Sequence, residues 1–150
     1  MVLTKRKTLV SMLVAFTVLA IGAGSKATSR DEKEEKAKAD AASLKGEWQV
    51  TSAETDGQPL DARKLPKWKL VFTADKVKGM KKGDEVAFEL DPTKKPKEID
   101  LLERGEVTVR AIYELDGDTL KVCWLKDNAT RPTEFSSTKG TLATFARKKE

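Results

Sequence analysis

From residue 44 to residue 148 apolar and polar side chains alternate with a period of two, the mark of half-buried β-strands. The clearest run precedes Asp116-Gly117, where Val107, Val109, Ala111, Tyr113 and Leu115 share one face. The run after it places Leu120, Val122 and Trp124 on one face. Asp-Gly between two such runs suits the φ > 0 positions of a tight hairpin. Trp48-Val50-Ser52, Trp68-Leu70-Phe72, Val86-Phe88-Leu90, Ile99-Leu101 and Thr141-Ala143-Phe145 repeat the alternation, and a short strand is expected over residues 76–80. Turn material at Ala74-Asp75, residues 81–84, residues 91–96 and Arg104-Gly105 separates the runs. The pattern therefore predicts eight strands, with no helical period between them to build a βαβ unit.

Eight short strands joined mainly by hairpins predict an all-β fold, an eight-stranded antiparallel up-and-down barrel, with a β-sandwich as the second choice. Closure also removes the unpaired edges an open sheet would leave. The two longest connections, residues 56–66 and 128–139, are the candidate mouth or lid segments.

The chain begins differently. Lys5, Arg6 and Lys7 precede an apolar stretch, residues 9–21, and then the small residues of 22–27. This is the layout of a secretory signal peptide over residues 1–27, cleaved after Ala27 or, as the competing choice, near Gly24. The apolar stretch is too short to cross a hydrocarbon layer roughly 30 Å thick, so no stable membrane span is expected after cleavage. The expected address is exported, periplasmic or extracellular. Residues 28–43 are almost wholly polar and read as a charged linker or short helix. In it Ser29 and Glu32 form a capping box, and Glu32–Lys36 and Glu34–Lys38 are helix-favouring pairs. With no apolar face, this segment is expected to be a solvated spacer ahead of the barrel domain, residues 44–148.

Charge changes the picture once the leader is set aside. Lys5, Arg6, Lys7 and Lys26 are four of the chain's 29 basic residues, and the leader holds none of its 24 acidic ones, so the remainder is close to neutral. The basicity is thus no nucleic-acid footprint. Cys123 is the only cysteine, which excludes an intrachain disulfide, and is expected to be a small buried hydrophobe.

Gly46-Glu47-Trp48 resembles the GxW opening of lipocalin-type barrels, in which the Trp seals one end and an Arg near the closing strand packs across it; Arg147 matches that Arg. The order of blocks resembles, more specifically, an uncharacterised lipocalin-like domain family expanded in planctomycete bacteria. The blocks are Leu44-x-Gly46-x-Trp48, Asp56-Gly57, Asp91-Pro92 with Pro96, Ile99-Asp100-Leu101, Ile112-Tyr113-Glu114-Leu115, Gly117-Asp118-Thr119-Leu120-x-x-Cys123, and Arg131-Pro132-x-x-Phe135. Ala111 departs from the pattern, which has glycine there. The resemblance implies a barrel and an exported protein; it implies no activity.

There is no histidine, which removes Ser-His-Asp and Cys-His catalysis and His-containing zinc sites. Asp116 with Asp118, and Asp100 near Glu103, are better read as turn and surface acids than as ligands of a hard cation, which needs six to eight converging oxygens. No enzyme and no cofactor are expected. Arg131-Pro132-x-x-Phe135 has two readings. In one, Pro132 stiffens the connection, Phe135 tucks into the barrel end and Arg131 pairs with an acid; in the other the segment is a lid.

Two functions remain open. A binding barrel would hold a small, partly apolar molecule against Trp68, Phe72, Phe88, Tyr113 and Trp124, with Tyr113 as the polar handle. If Trp48 seals the bottom, the opposite mouth is the site. A filled barrel would instead act from its outside or its loops, on an envelope protein or as an inhibitor of a hydrolase. Aromatic side chains facing an empty space would favour the first.

Overall fold

The computed structural model describes residues 28–81 and 84–149; the leader expected over residues 1–27 and Lys82-Gly83 of the turn expected over residues 81–84 lie outside them. Helix α1 (Ser29–Leu44) is followed by β1 (Gly46–Thr55), β2 (Gln58–Pro59), a 3₁₀ turn (Leu65–Lys67), β3 (Lys69–Phe72), β4 (Lys76–Lys81), β5 (Asp84–Asp91), β6 (Lys97–Glu103), β7 (Glu106–Asp116), β8 (Thr119–Leu125) and β9 (Gly140–Arg147). Each strand pairs antiparallel with its neighbour, and β1 pairs back onto β9, closing an eight-stranded barrel from which the two-residue β2 hangs as a flap on β1.

The tight turns obey backbone chemistry. Asp56-Gly57 and Arg104-Gly105 both take positive φ at both positions, the requirement of a two-residue hairpin loop matched to strand twist. At the β7–β8 turn the loop is Gly117-Asp118 instead, because Asp116 still pairs with Thr119; only Gly117 takes positive φ.

Two bulges alter the alternation that the sequence suggests. The β1–β9 register slips between Val50 and Ser52, so Ala53 turns inward and Ser52 is exposed. The β6–β7 register slips between Leu101 and Leu102, which turns Val107 to solvent while Val109, Ala111 and Tyr113 stay buried. An extra residue in one strand reverses the phase beyond it, and nothing in a period-two pattern marks where that happens.

The larger difference is α1. The residues expected to form a solvated spacer are a helix that closes the barrel. Its N-cap is Thr28, not Ser29, and the capping box uses Asp31: the Thr28 hydroxyl lies 2.7 Å from Asp31 Oδ2. The two i,i+4 ion pairs form as expected. Ala37 and Ala41 pack against the core and Leu44 is fully buried. Two alanines and one leucine make a stripe too narrow to stand out in a charged segment, yet its 37-41-44 spacing lies on one face. Polar contacts complete the dock. Tyr113 Oη donates to Asp40 Oδ2 at 2.6 Å, Lys97 Nζ reaches the same oxygen at 2.8 Å, and Lys33 Nζ lies 2.9 Å from Asp91 Oδ2.

Asp91 makes this dock sensitive to acid. Burial alone would raise its pKa, but hydrogen bonds from Thr93 and the Lys33 ammonium outweigh that and hold it below the usual carboxylate range. A depressed folded-state pKa contributes stability above the unfolded value, about 3.9, that is lost as pH falls through the folded one. Hydrogen exchange should therefore show the amides of α1 and of the turn around Thr93, both tied to Asp91, losing protection below about pH 4, ahead of the central barrel strands. Simultaneous loss in helix and strands would contradict this.

Candidate functional site

The closed end is built where β1 begins and β9 ends. Trp48 pairs with Arg147 across the β1–β9 seam, and its ring is completely buried. The Arg147 guanidinium carbon lies 4.2 Å from the indole centroid, a cation–π stack. The same two side chains cap α1. Trp48 Nε1 donates to Leu44 O at 2.7 Å, Arg147 Nη1 to Lys45 O at 2.9 Å, and Arg147 Nη2 to Ser43 O. A helix ends with unpaired carbonyls and partial negative charge, and the last turn of α1 contains no basic residue of its own. The barrel supplies the missing cation from β9. Asp118, 3.0 Å from Arg147 Nε, holds the other side of the guanidinium.

Tyr113, Phe72 and Phe88 also lie in this closed half. Phe72 and Phe88 meet edge to face at 5.3 Å. Burial, then the bond to the Asp40 carboxylate, pushes the Tyr113 hydroxyl far above its ordinary range, so it stays protonated. Of the five residues expected to hold a ligand, these three are packed below the cavity rather than around it. The expected polar handle is bonded to the helix. Sequence alternation reports which side of the sheet a residue faces, and is silent about depth along the barrel.

The opposite end is open. A cavity of about 590 Å³ descends from the mouth, walled by Trp68, Leu70, Leu101, Val109 and Trp124 and reaching down to Phe145. That volume falls within the roughly 300–1,000 Å³ range of small-molecule pockets. Trp68 and Trp124 are thus the two expected ligand residues that the structure brings together at one space. Lys67, Lys69 and Asn128 supply the polar part of the lining.

Gly79 shapes one wall. Its φ is +104°, and a Cβ there would collide with the carbonyl oxygen of Lys69 across the β3–β4 pair. A glycine inside a strand signals such close backbone approach, and it was the one cue in the sequence to this corner of the site. Lys67 and Asn128 carried no comparable cue, since a lysine and an asparagine in long connections are unremarkable until the loops are placed.

The two long connections play different parts. The first, residues 56–68, crosses the mouth end. Leu60 and Leu65 pack onto the core, and Leu60 N donates to Ala53 O at 2.8 Å. Trp68 is held from β1: its carbonyl accepts from Val50 N at 3.1 Å and from Gln49 Nε2 at 3.0 Å.

The second, residues 126–139, runs as a strap along the outside of the barrel. Arg131 Nη1 donates to Ala111 O at 2.8 Å, and its Nε lies 3.4 Å from Glu98. Its Nη2 is 2.6 Å from Asp100 Oδ1, an oxygen that accepts no aligned hydrogen bond, so charge rather than direction holds this contact. Phe135 lies on the outer face beside Lys121, whose ammonium is 5.5 Å from the ring centroid, and not inside the barrel end. The strap buries the outward-facing Cys123, which is free and fully enclosed, its Sγ 3.3 Å from Ser136 O. Burial pushes that thiol's pKa up, which disfavours the reactive thiolate. Only Asn128 of this segment reaches the mouth cavity.

A second hollow of about 610 Å³ lies between α1 and β5; Phe88, Leu90, Ala37 and Ala41 line it, but so do seven or more charged side chains including Arg30, Glu34, Asp75 and Glu89, and the Lys33–Asp91 pair ties its two sides together. A groove so charged is the less suitable one for an apolar molecule. Among the described residues no three His, Cys, Asp or Glu side chains converge as a metal site, and no helix is long and apolar enough to cross a membrane. Set against known proteins, the chain matches no family model, no curated protein and no solved structure.

Proposed function

We propose that this chain is an exported carrier that holds one small, partly apolar molecule in the mouth of its barrel. The observation that carries the reading is the apolar cavity between Trp68 and Trp124, opposite an end sealed by Trp48, Arg147 and α1. Aromatic walls around an open space distinguish a binding barrel from a filled one acting through its surface. Export rests on the leader-like residues 1–27, and the resemblance to the exported lipocalin-like family agrees with it. Binding rather than catalysis is the role, in keeping with a chain that contains no histidine.

Native mass spectrometry of the chain purified from its own host, with tryptophan emission followed during delipidation, tests this. The expected result is a bound molecule of small-ligand mass whose removal shifts the emission, since two of the three tryptophans face the cavity. A clean apo mass with unaltered emission, and no emission change on titration with apolar probes, would overturn it.

A further inference from the structure

The cavity is apolar in its walls and one-signed at its rim. Its ionisable lining groups among the described residues are Lys67 and Lys69, and no carboxylate lines it. Lys69 is already engaged, its Nζ 3.4 Å from Glu47 Oε1. Lys67 is exposed, stands immediately before Trp68, and ends the 3₁₀ turn at the mouth.

That turn is held in place. Trp68 N donates to Leu65 O at 2.9 Å, Lys67 N to Lys64 O at 3.3 Å, and Gln49 and Val50 of β1 bind the Trp68 carbonyl from the other side. Lys67 therefore extends from a fixed backbone next to Trp68 in sequence, rather than from a free loop. Asn128 also lines the cavity; its backbone, at φ +57°, is tied by its carbonyl to Arg110 N at 2.8 Å, and its side chain carries a carboxamide. A cation and an amide donor above an apolar shaft match one ligand chemistry. An ammonium head would meet repulsion there, and a wholly apolar molecule would gain nothing from either group.

We infer that the site selects amphipathic anions: a chain or ring body between Trp68 and Trp124, and a single anionic head, such as a carboxylate, at Lys67 and Asn128. This rests on the mouth cavity being a binding site, and the test separates the two claims. Tryptophan emission of the full mature chain is titrated with decanoate, 1-decanol and decylammonium, three probes that share one body and differ in the head.

Decanoate should bind about fivefold more tightly than decanol and more tightly still than decylammonium, with the preference shrinking as salt rises. Lys67→Ala should weaken decanoate about threefold and leave decanol unchanged, while Lys67→Glu should weaken it about tenfold and strengthen decylammonium. Lys67 is exposed, so both variants are expected to fold, and the decanol titration reports whether the cavity is intact. Equal binding of all three probes, or a decanoate affinity indifferent to Lys67→Glu, would overturn anion selection and leave the apolar cavity standing. No emission change with any probe would sink both.

Discussion

Replacing Trp48 with alanine should lower stability by about 3–5 kcal/mol, the range for deleting a fully buried aromatic side chain. Against the roughly 5–15 kcal/mol that holds a domain of this size, that loss moves the urea midpoint far or unfolds the chain at ambient temperature. The indole has three jobs at one position. It fills the closed end, where it is completely buried; it donates to Leu44 O; and it is the platform for Arg147. Alanine leaves a cavity, an uncapped helix carbonyl and a guanidinium without its stack. Trp48→Phe restores volume and platform but no donor, and should cost less than half as much. A midpoint shift of under about 1 kcal/mol for Trp48→Ala would mean the end is not sealed as described.

Val109→Trp should abolish probe binding at the mouth, weakening it by more than about tenfold, while shifting stability by under about 1 kcal/mol. Val109 lies 8% exposed on the cavity wall, opposite Leu101 in the β6–β7 register. Overfilling a close-packed core normally costs about 1–3 kcal/mol through displaced neighbours. Here the added ring has about 590 Å³ in front of it. Loss of binding with stability preserved marks the cavity as the site. Unimpaired binding by the folded variant would place the ligand elsewhere and remove the basis for the proposed function.

The two predictions test opposite ends of the barrel, and the ends differ in how readable they were. Trp48 and Arg147 lie near the two ends of the domain sequence, and an antiparallel closing pair must bring the start of one strand beside the end of the other. Their meeting follows from topology once the barrel is assumed. The helix that shares that end was not readable. Its contacts with the barrel are Ala37, Ala41 and Leu44, with Asp40 binding Tyr113 and Lys97, and none of these stands out within a segment of alternating charge. What makes α1 part of the fold is an acceptor for the Tyr113 hydroxyl and donors for three terminal carbonyls; Trp48 lies four residues beyond its carbonyl, but Tyr113 and Arg147 lie on strands distant in sequence.

The ligand set divides for a related reason. Alternation puts Trp68, Phe72, Phe88, Tyr113 and Trp124 alike on the inner face. Phe72 and Phe88 are buried with Tyr113 toward the closed end, leaving Trp68 and Trp124 at the mouth. Height in a barrel depends on strand register, tilt and bulges, and the bulges after Val50 and before Leu102 are set by pairing rather than by local pattern.

By itself, then, the sequence determined what is local: eight alternating strands, their tight turns, a buried lone cysteine, and a chain without histidine. Period-two burial and turn chemistry act over a few neighbouring residues, so one chain read in order is enough to see them. Tertiary structure alone decided that a charged helix closes one end, that residues 126–139 strap the outside rather than cover the mouth, and that Lys67 and Asn128 line one cavity with two tryptophans. Each of those is a contact between segments far apart in the chain, and its energy exists only after closure of the barrel has brought them together.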